Sequence, residues 1–377
     1  MLSGDIKPYN EKQKQLLAAL DSQDVDIVGV FGPSGTGKSF VTCLYGIKAV
    51  NGGKFSRFVI VRPLVDLNTG RRYSSIELGG LFFDLASSYI FDLISDVIDK
   101  ENLKKQLESS KLIVADPSFL AGRTFEKTLV FLDDSQYAPL EVIYEALLRI
   151  GNNSKLVIAG DPVSQAGSPD NSAAIAREVL MGQEKAFVID FGVQDIVRPG
   201  AKRAFKLALE MKLRKREMNE EERKILSLIY SHSPDAQIIT VVDLRLLKEK
   251  YDIKNAPDML IVSKDGFLGR LIGRGGDRIN RIEKDSGLSI RGIELNLDFK
   301  QLVCSLHPLG WIKKHVGNAD LIGVNIEVEI DSENLGAFVG QKGIFVRFLS
   351  EVFKELLGVG LKVVNVTLNE KDKARKR

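Results

Sequence analysis

The first 200 residues alternate short, almost continuously apolar runs with longer segments in which apolar residues recur at spacings of three and four. Runs of the first kind are expected of parallel strands buried on both faces, and the second spacing is typical of amphipathic helices. The pattern therefore predicts an α/β fold, in which helices cover both faces of a parallel sheet. The predicted strands are residues 25–31, 57–61, 112–115, 128–132, 155–159 and 187–190.

The pattern changes after about residue 200. Residues 201–216 carry seven Lys or Arg against one acid, which indicates either a solvated connector helix or a basic surface that faces RNA or a neighbouring subunit. Beyond it, the order strand, short helix, Gly-x-x-Gly, helix and strand occurs twice, 67 residues apart. Two copies of one small α+β module are the economical interpretation. The predicted bounds are a first domain at 1–205, a charged helical connector at 206–232, modules at 233–298 and 299–370, and a basic tail at 371–377.

Composition and charge narrow the class of protein. The 377 residues are 44% hydrophobic and 27% charged, which is typical of folded globular domains. The formal charge is only +3, so affinity for nucleic acid has to come from local clusters of Lys and Arg. Cys43 and Cys304 offer no disulfide framework. The first residues lack an apolar signal region, and no later run approaches the roughly 18 apolar residues of a membrane helix. We therefore expect a soluble, cytoplasmic protein with no membrane partner.

The segment GPSGTGKS fits the pattern G-x-x-x-x-G-K-[ST] between a predicted buried strand and a predicted helix. Its glycines let backbone N–H groups turn around phosphates, and the helix presents its positive end to the same anion. Lys38 is expected to contact the β and γ phosphates, and Ser39 to bind Mg²⁺ through its hydroxyl. The predicted nucleotide-binding residues are Gly32, Pro33, Ser34, Gly35, Thr36, Gly37, Lys38, Ser39 and Phe40.

Acidic and amide side chains follow two later strands. Asp133 and Asp134 end the run FLDDSQ, and Gln165 lies just past the strand that leads into AGDPVSQ. Asp133 is the expected Mg²⁺ partner, through water, and Asp134 is a candidate to orient or deprotonate an attacking water. Gln165 is a candidate sensor of the γ phosphate. Two adjacent Asp at a strand end can also be turn or cap residues.

Five motifs occur in order along this part of the chain. They are GPSGTGKS, FVIVRPLV (58–65), FLAGRTFEKTLVFLDDSQ (119–136), LLRIGNNSKLVIAGDPVSQ (147–165) and DIVRPG (195–200). Together they resemble the PhoH family of ATPases, which is related to the nucleotide-binding half of superfamily-one helicases. The resemblance covers roughly residues 8–205 and implies a RecA-like P-loop fold with ATP and Mg²⁺ as cofactors.

The resemblance also implies roles for single residues. It assigns Lys38 and Ser39 to phosphates and magnesium, Asp133 to the metal and Gln165 to the γ phosphate. Gln13 resembles the glutamine that reads adenine in this family, with a plain surface helix residue as the alternative. Three arginines match the family's motifs, and any one of them could complete a neighbour's site as an arginine finger or form a salt bridge inside the domain. They are Arg123, Arg149 and Arg198.

One departure from the family concerns the second acid. The family usually has Asp-Glu-Ala-Gln where this chain has Asp133, Asp134, Ser135 and Gln136. Aspartate is one methylene shorter than glutamate, so its reach to the attacking water is less secure and slow hydrolysis is expected. The polar, helical segment between the second and third predicted strands has no function that the sequence assigns.

The repeated modules carry the second candidate site. Each Gly-x-x-Gly follows an apolar helix end and opens an amphipathic helix, and such a turn brings two helix ends close to a sugar-phosphate backbone. The modules resemble KH domains, and their tandem arrangement resembles that of NusA-type transcription factors. Phe345 and Phe348 are expected to lie in the core rather than to stack on bases. The predicted RNA-binding residues are Gly273, Arg274, Gly275 and Gly276 in the first module and Gly340, Gln341, Lys342 and Gly343 in the second.

These features predict an ATPase that is coupled to single-stranded RNA, with single-stranded DNA left open, and that remodels RNA in a helicase-like way. One P-loop core cannot step along a strand as two cores do, so motor work implies a homo-oligomer, a ring being one form. The first alternative is a regulator in which ATP switches RNA affinity with little turnover. The second is small-molecule phosphotransfer, which would leave the modules without a role.

Overall fold

The computed structural model describes residues 6–163 and 171–366. The chain forms two compact units, one that ends at Lys202 and one that starts at Arg203, whereas the sequence predicts three. Both copies of the repeated module lie in the second unit. The helices in the described ranges are too short or too polar to cross a membrane.

Strands and helices alternate in the described part of the first unit. The strands are β1 Ile27–Phe31, β2 Arg57–Val61, β3 Leu64–Val65, β4 Arg72–Tyr73, β5 Leu112–Ala115, β6 Thr128–Leu132, β7 Lys155–Gly160 and β8 Ala186–Asp190. The helices are α1 Glu11–Asp21, α2 Lys38–Asn51, α3 Ser75–Leu78, α4 Gly80–Ile94, α5 Lys100–Glu108, α6 Leu140–Leu148 and α7 Ser172–Leu180.

Six of these strands form one parallel sheet in the order β5-β2-β6-β7-β1-β8. In β2, Phe58 and Ile60 pack into a core with residues of α1, α2, α4 and α5. The alternating residues Val59 and Val61 pack into a second core with residues of α6 and α7. The sheet is therefore covered on both faces, as the continuous apolar runs predict. Since all six strands run in one direction, the loops that follow β1, β6 and β7 meet at one edge.

The second unit contains the repeated modules. Its strands are β9 Ile238–Asp243, β10 Met259–Ser263, β11 Ile290–Glu294, β12 Val316–Ile322, β13 Asn325–Asp331 and β14 Gly360–Val366. The α-helices of the described residues from 201 onward are α8 Ala201–Arg214, α9 Glu220–His232, α10 Arg245–Lys250, α11 Leu268–Ile272, α12 Asp277–Ser286, α13 Phe299–Leu306, α14 Leu335–Val339 and α15 Ile344–Leu357.

Both modules have the same arrangement. In each three-stranded sheet the first two strands are antiparallel and the last strand is parallel to the second. A helix pair separated by Gly-x-x-Gly connects those parallel strands, and a further helix, α9 or α13, lies against the first strand. Ile225 and Ile229 of α9 belong to the core of the first module. The segment that the sequence assigned to a connector at 206–232 therefore includes a helix that packs as part of the module.

Candidate nucleotide site and nucleic-acid modules

The glycine-rich loop joins β1 to α2 at the carboxyl edge of the sheet. Gly37 has a φ of +87° and precedes the first residue of α2, and a Cβ there would lie 2.6 Å from the Gln13 amide nitrogen. A side chain at this position would therefore meet both a strained backbone and a close neighbour. The turn leaves the first N–H groups of α2 at the loop, where the positive end of a helix favours an anion.

A second segment fixes the loop from the other side. The N–H groups of Val197 and Arg198 both donate to the carbonyl oxygen of Gly35 at 3.0 Å. The Arg198 guanidinium also donates to Ser34 Oγ at 3.2 Å. The motif DIVRPG therefore contacts the phosphate-binding loop directly, and Arg198 lies at the site of its own chain.

The Lys38 ammonium is folded onto the loop. Its Nζ donates to the carbonyl oxygens of Gly32 at 2.7 Å and Pro33 at 2.9 Å. Burial lowers the pKa of Lys38, and the negative charges of Asp161, Asp133 and Asp134 oppose that shift. A cation beside the N-terminal end of a helix matches the charge of a polyphosphate.

Asp133 lies just past the end of β6 and faces the first turn of α2. The Ser39 hydroxyl donates to its Oδ1 at 3.0 Å, and the Tyr89 hydroxyl donates to its Oδ2 at 2.6 Å. Burial and the adjacent Asp134 raise the pKa of Asp133, while the Arg62 charge opposes them. A hydroxyl and a carboxylate side by side are the oxygen ligands that Mg²⁺ takes, so Ser39 and Asp133 fit this metal. When bound, the metal would neutralise phosphate charge.

Asp134 is held by two partners. Its Oδ2 accepts from the Arg62 guanidinium at 2.5 Å, and its Oδ1 accepts from the Gln136 amide at 3.1 Å. The side-chain Oε1 of Gln136 in turn accepts the Asp161 N–H at 3.0 Å, which ties the end of β6 to the end of β7. Asp134 has a φ of +52°, a left-handed conformation that aspartate adopts more readily than most residues.

These loops enclose a cavity of about 520 Å³. A cavity of this size falls in the range of small-molecule sites. Ten of the residues predicted for the nucleotide site line it: Gln13, Ser34, Gly35, Gly37, Lys38, Ser39, Phe40, Asp133, Asp134 and Arg198. Gly32, Pro33 and Thr36 lie in the same loop, and Gln165 lies outside the described residues.

Gln13 is almost fully buried, with 1% of its surface exposed, so it is not the surface residue that the sequence left as an alternative. Its Nε2 donates to the Thr36 carbonyl oxygen at 2.9 Å, and its Oε1 accepts the Tyr9 N–H at 2.8 Å. The amide therefore links the segment before α1 to the phosphate-binding loop. The role in reading adenine stays a prediction.

The other two predicted arginines lie elsewhere in the first unit. Arg149 forms an ion pair with Glu145 of α6 at 2.7 Å and precedes β7, which places it towards the edge of the sheet opposite the P-loop. The Arg123 guanidinium lies 4.1 Å from the centroid of the Phe119 ring. Neither is among the described residues that line the cavity. Their role in a neighbour's site stays a prediction.

Several residues that line the cavity were not predicted as site residues from the sequence, among them Tyr9, Arg62 and Tyr89. Tyr9 is 79% exposed and immediately precedes the residue that caps α1. Arg62 directly follows β2 at the carboxyl edge of the sheet, where ligands bind in open α/β sheets, so its position in the sequence could have indicated a site residue. Tyr89 belongs to α4, in the segment without an assigned function, and no local pattern indicates which face of that helix meets the acids.

The two Gly-x-x-Gly turns have nearly the same backbone. The first glycines, Gly273 and Gly340, have φ values of +76° and +74°, and the last glycines have +84° and +76°. Each turn leads directly into a helix, α12 or α15. The side chains of Arg274, Gln341 and Lys342 are exposed, as a contact with a phosphate backbone requires.

The aromatic residues of the second module have separate positions. Phe348 is fully buried, which confirms the prediction that it is a core residue. Phe345 is partly buried and makes an edge-on contact with the His307 ring, with 5.3 Å between centroids.

A parallel six-stranded sheet whose β1 runs through a glycine-rich loop into a helix that starts with Lys38 and Ser39 defines the RecA-like P-loop class of proteins. The family model described as "PhoH-like protein" matches residues 5–210, and the chain belongs to the PhoH-like family. A second model, described as "KH domain", matches residues 259–298, which are in the first module.

Curated relatives agree with this assignment. The chain is 28% identical over 195 residues to a PhoH-like protein of Bacillus subtilis, an alignment that covers 49% of this chain and 58% of the relative. It is 25% identical over 210 residues to Protein PhoH of Escherichia coli, covering 52% and 56%. The chain thus spans a little over half the length of these relatives. The Pif1 helicase structure from Candida albicans matches with a TM-score of 0.24 and 11% identity over 67% of this chain and 63% of that one, too low to carry an argument.

Proposed function

We propose that this chain is an ATPase whose nucleotide cycle is coupled to single-stranded RNA. The observation that carries the proposal is the convergence of the glycine-rich loop, the acid pair and Asp161 on one cavity of about 520 Å³. A cavity with a half-buried lysine, the N–H groups at the start of a helix and an adjacent hydroxyl and carboxylate suits a magnesium nucleoside triphosphate.

Within this proposal, Lys38 and the loop bind the phosphates, Ser39 and Asp133 hold Mg²⁺, and Asp134 orients the attacking water. Gln165 is proposed as the sensor of the γ phosphate on the basis of the resemblance alone. The short Asp134 is expected to give slow turnover, because its carboxylate reaches one methylene less far than glutamate.

The RNA half of the proposal rests on the modules. The first matches the KH model, and the second has the same order of elements and the same turn geometry. We propose that both are KH domains, bounded at 233–298 and 299–370, and that their Gly-x-x-Gly turns contact an RNA backbone. Single-stranded DNA is the alternative ligand of these turns, and its binding is to be compared with that of RNA.

Motor work by a single P-loop core requires neighbouring copies, so we propose a homo-oligomer in which Arg123 or Arg149 completes an adjacent site. Both side chains lie away from the cavity of their own chain, which supports a role in trans. The free thiols of Cys43 and Cys304 support a reducing compartment such as the cytoplasm.

The test is phosphate release from ATP, with and without single-stranded RNA, at a stated salt concentration. Lys38→Ala should abolish release, and RNA should stimulate the wild type. Lys14→Ala is the matched control, because the Lys14 side chain is 68% exposed and outside the cavity. Release that is equal in Lys38→Ala and wild type, with no effect of RNA, would sink the proposal.

A second candidate function has one observation in its favour. Both Asp134 oxygens are bonded, to Arg62 and Gln136, which suits a protein that binds ATP and turns it over very little. In that case ATP switches the RNA affinity of the modules. RNA affinity that changes with ATP while phosphate release stays at background would favour this regulator over the ATPase.

A further inference from the structure

Helix α4 reaches the acid pair from a segment that the sequence leaves without a function. This segment lies between β2 and β5, and α4 packs into the same core as α2 through Phe82, Ala86 and Ile90. The packed face directs Tyr89 to Asp133, whose Oδ2 accepts the Tyr89 hydroxyl at 2.6 Å. A contact this short between a phenol and a carboxylate orients the acid.

Arg62 joins the same contact from the end of β2. Its guanidinium lies 3.8 Å from the centroid of the Tyr89 ring, and it donates to Asp134 Oδ2 at 2.5 Å. Two adjacent carboxylates repel each other, and the repulsion is strong where water is scarce. Arg62 offsets that repulsion, while Lys38 bonds to the loop carbonyls of Gly32 and Pro33.

We propose that Tyr89 and Arg62 are positioning residues for the magnesium ion, with opposite effects. Tyr89 orients the Asp133 carboxylate towards the metal. Arg62 supplies the positive charge that the acid pair needs until the metal arrives, and therefore competes with it. The inference rests on the proposed function, because it takes the cavity to be a magnesium–nucleotide site.

The two roles predict shifts of opposite sign. Tyr89→Phe removes the donor to Asp133 but keeps the ring under Arg62, so the metal should bind more weakly. Arg62→Gln removes a competing charge and leaves an uncharged, shorter amide, so the metal should bind more tightly while turnover falls. Each shift should be about two- to fivefold, the scale of a partly exposed charged contact.

Mn²⁺ serves as the spectroscopic substitute for Mg²⁺. The full-length protein, saturated with a non-hydrolysable ATP analogue, is titrated with Mn²⁺, and the free ion is followed by electron paramagnetic resonance. This reading does not depend on turnover. The matched controls are Tyr144→Phe, with a 58% exposed tyrosine on α6, and Arg71→Gln, whose arginine is 62% exposed and paired with Glu77. Thermal unfolding of each variant verifies that it is folded.

The expected result is a higher half-saturating Mn²⁺ concentration for Tyr89→Phe, a lower one for Arg62→Gln, and wild-type values for both controls. Half-saturation that is unchanged in both folded variants, or shifted in the same direction in both, would overturn the inference. Failure of the proposed function is distinct from this, because wild-type protein would then bind neither the analogue nor nucleotide-dependent Mn²⁺.

Discussion

Gln13 offers the sharpest test of how the nucleotide site is built. Gln13→Ala removes two side-chain hydrogen bonds, a buried one to the Thr36 carbonyl oxygen and a partly buried one from the Tyr9 N–H. At about 1 kcal/mol for each bond, the free energy of unfolding should fall by ~2 kcal/mol. Because the bond to Thr36 holds the phosphate-binding loop, its loss should loosen the loop, and nucleotide affinity should fall by about fivefold. If Gln13 acts only by supporting this loop, ATP and GTP should lose affinity alike, because phosphates are common to all nucleotides; if it also reads adenine, the loss should be larger for ATP.

The assay combines urea unfolding with equilibrium binding of fluorescent ATP and GTP. Gln15→Ala is the matched control, since Gln15 is exposed on the same helix, and it should leave both measurements unchanged. A selective loss of ATP affinity would show that Gln13 reads adenine and would refute the account in which it supports the loop. An unfolding free energy equal to that of wild type would refute the assigned hydrogen bonds.

Three further outcomes are expected. Asp134→Asn should lower ATP turnover at least about tenfold while nucleotide affinity stays within about twofold, because asparagine has the shape of aspartate but lacks the carboxylate that accepts a proton. Turnover at the wild-type rate in a phosphate-release assay would contradict a role of Asp134 in orienting the attacking water. Arg274→Asp and Lys342→Asp should each weaken RNA binding and reduce its dependence on salt concentration without changing ATP affinity. Gel-shift titrations at two salt concentrations check this. A loss of ATP affinity in either variant would contradict the view that RNA and ATP bind at separate sites. Burial lowers the pKa of Lys155 to about 8, against about 10.4 for an unfolded lysine. The unfolded state then binds more protons between these values, so the stability of wild type relative to Lys155→Met should rise with pH from about 8 to 10 in urea unfolding; a constant difference would exclude the shift.

The fold of the first unit could be predicted from its sequence, because the patterns that indicate its strands, helices and glycine-rich loop lie in short stretches of the chain. Continuous apolar runs such as Phe58 to Val61 require burial on both faces, and both cores contain them. The glycine-rich loop is equally local, since the strand before it and the helix after it are both visible in the pattern. The bounds of the charged connector could not be predicted in the same way. Helix α9 belongs to a module because Ile225 and Ile229 pack against strands that are distant in the sequence.

Parts of the candidate site depend on contacts that local patterns do not encode. The placement of Lys38, Ser39 and Asp133 follows from strand order and loop chemistry. The contact between Tyr89 and Asp133 joins residues 44 positions apart, and it depends on the register of α4 over α2. Gln13 was singled out through a family motif, but its burial follows from the way α1 packs beside the loop.

The left-handed backbone of Asp134 has a consequence for redesign of the motif. The family's usual glutamate could be introduced here by one codon change, but the backbone of the new residue would have to adopt the left-handed conformation, which costs on the order of 1 kcal/mol. The extra methylene would also move the carboxylate relative to Arg62, whose contact is only 2.5 Å long. Residue 134 and Arg62 are therefore best substituted together, and under the proposed function a variant with faster ATP turnover is to be sought among such double substitutions.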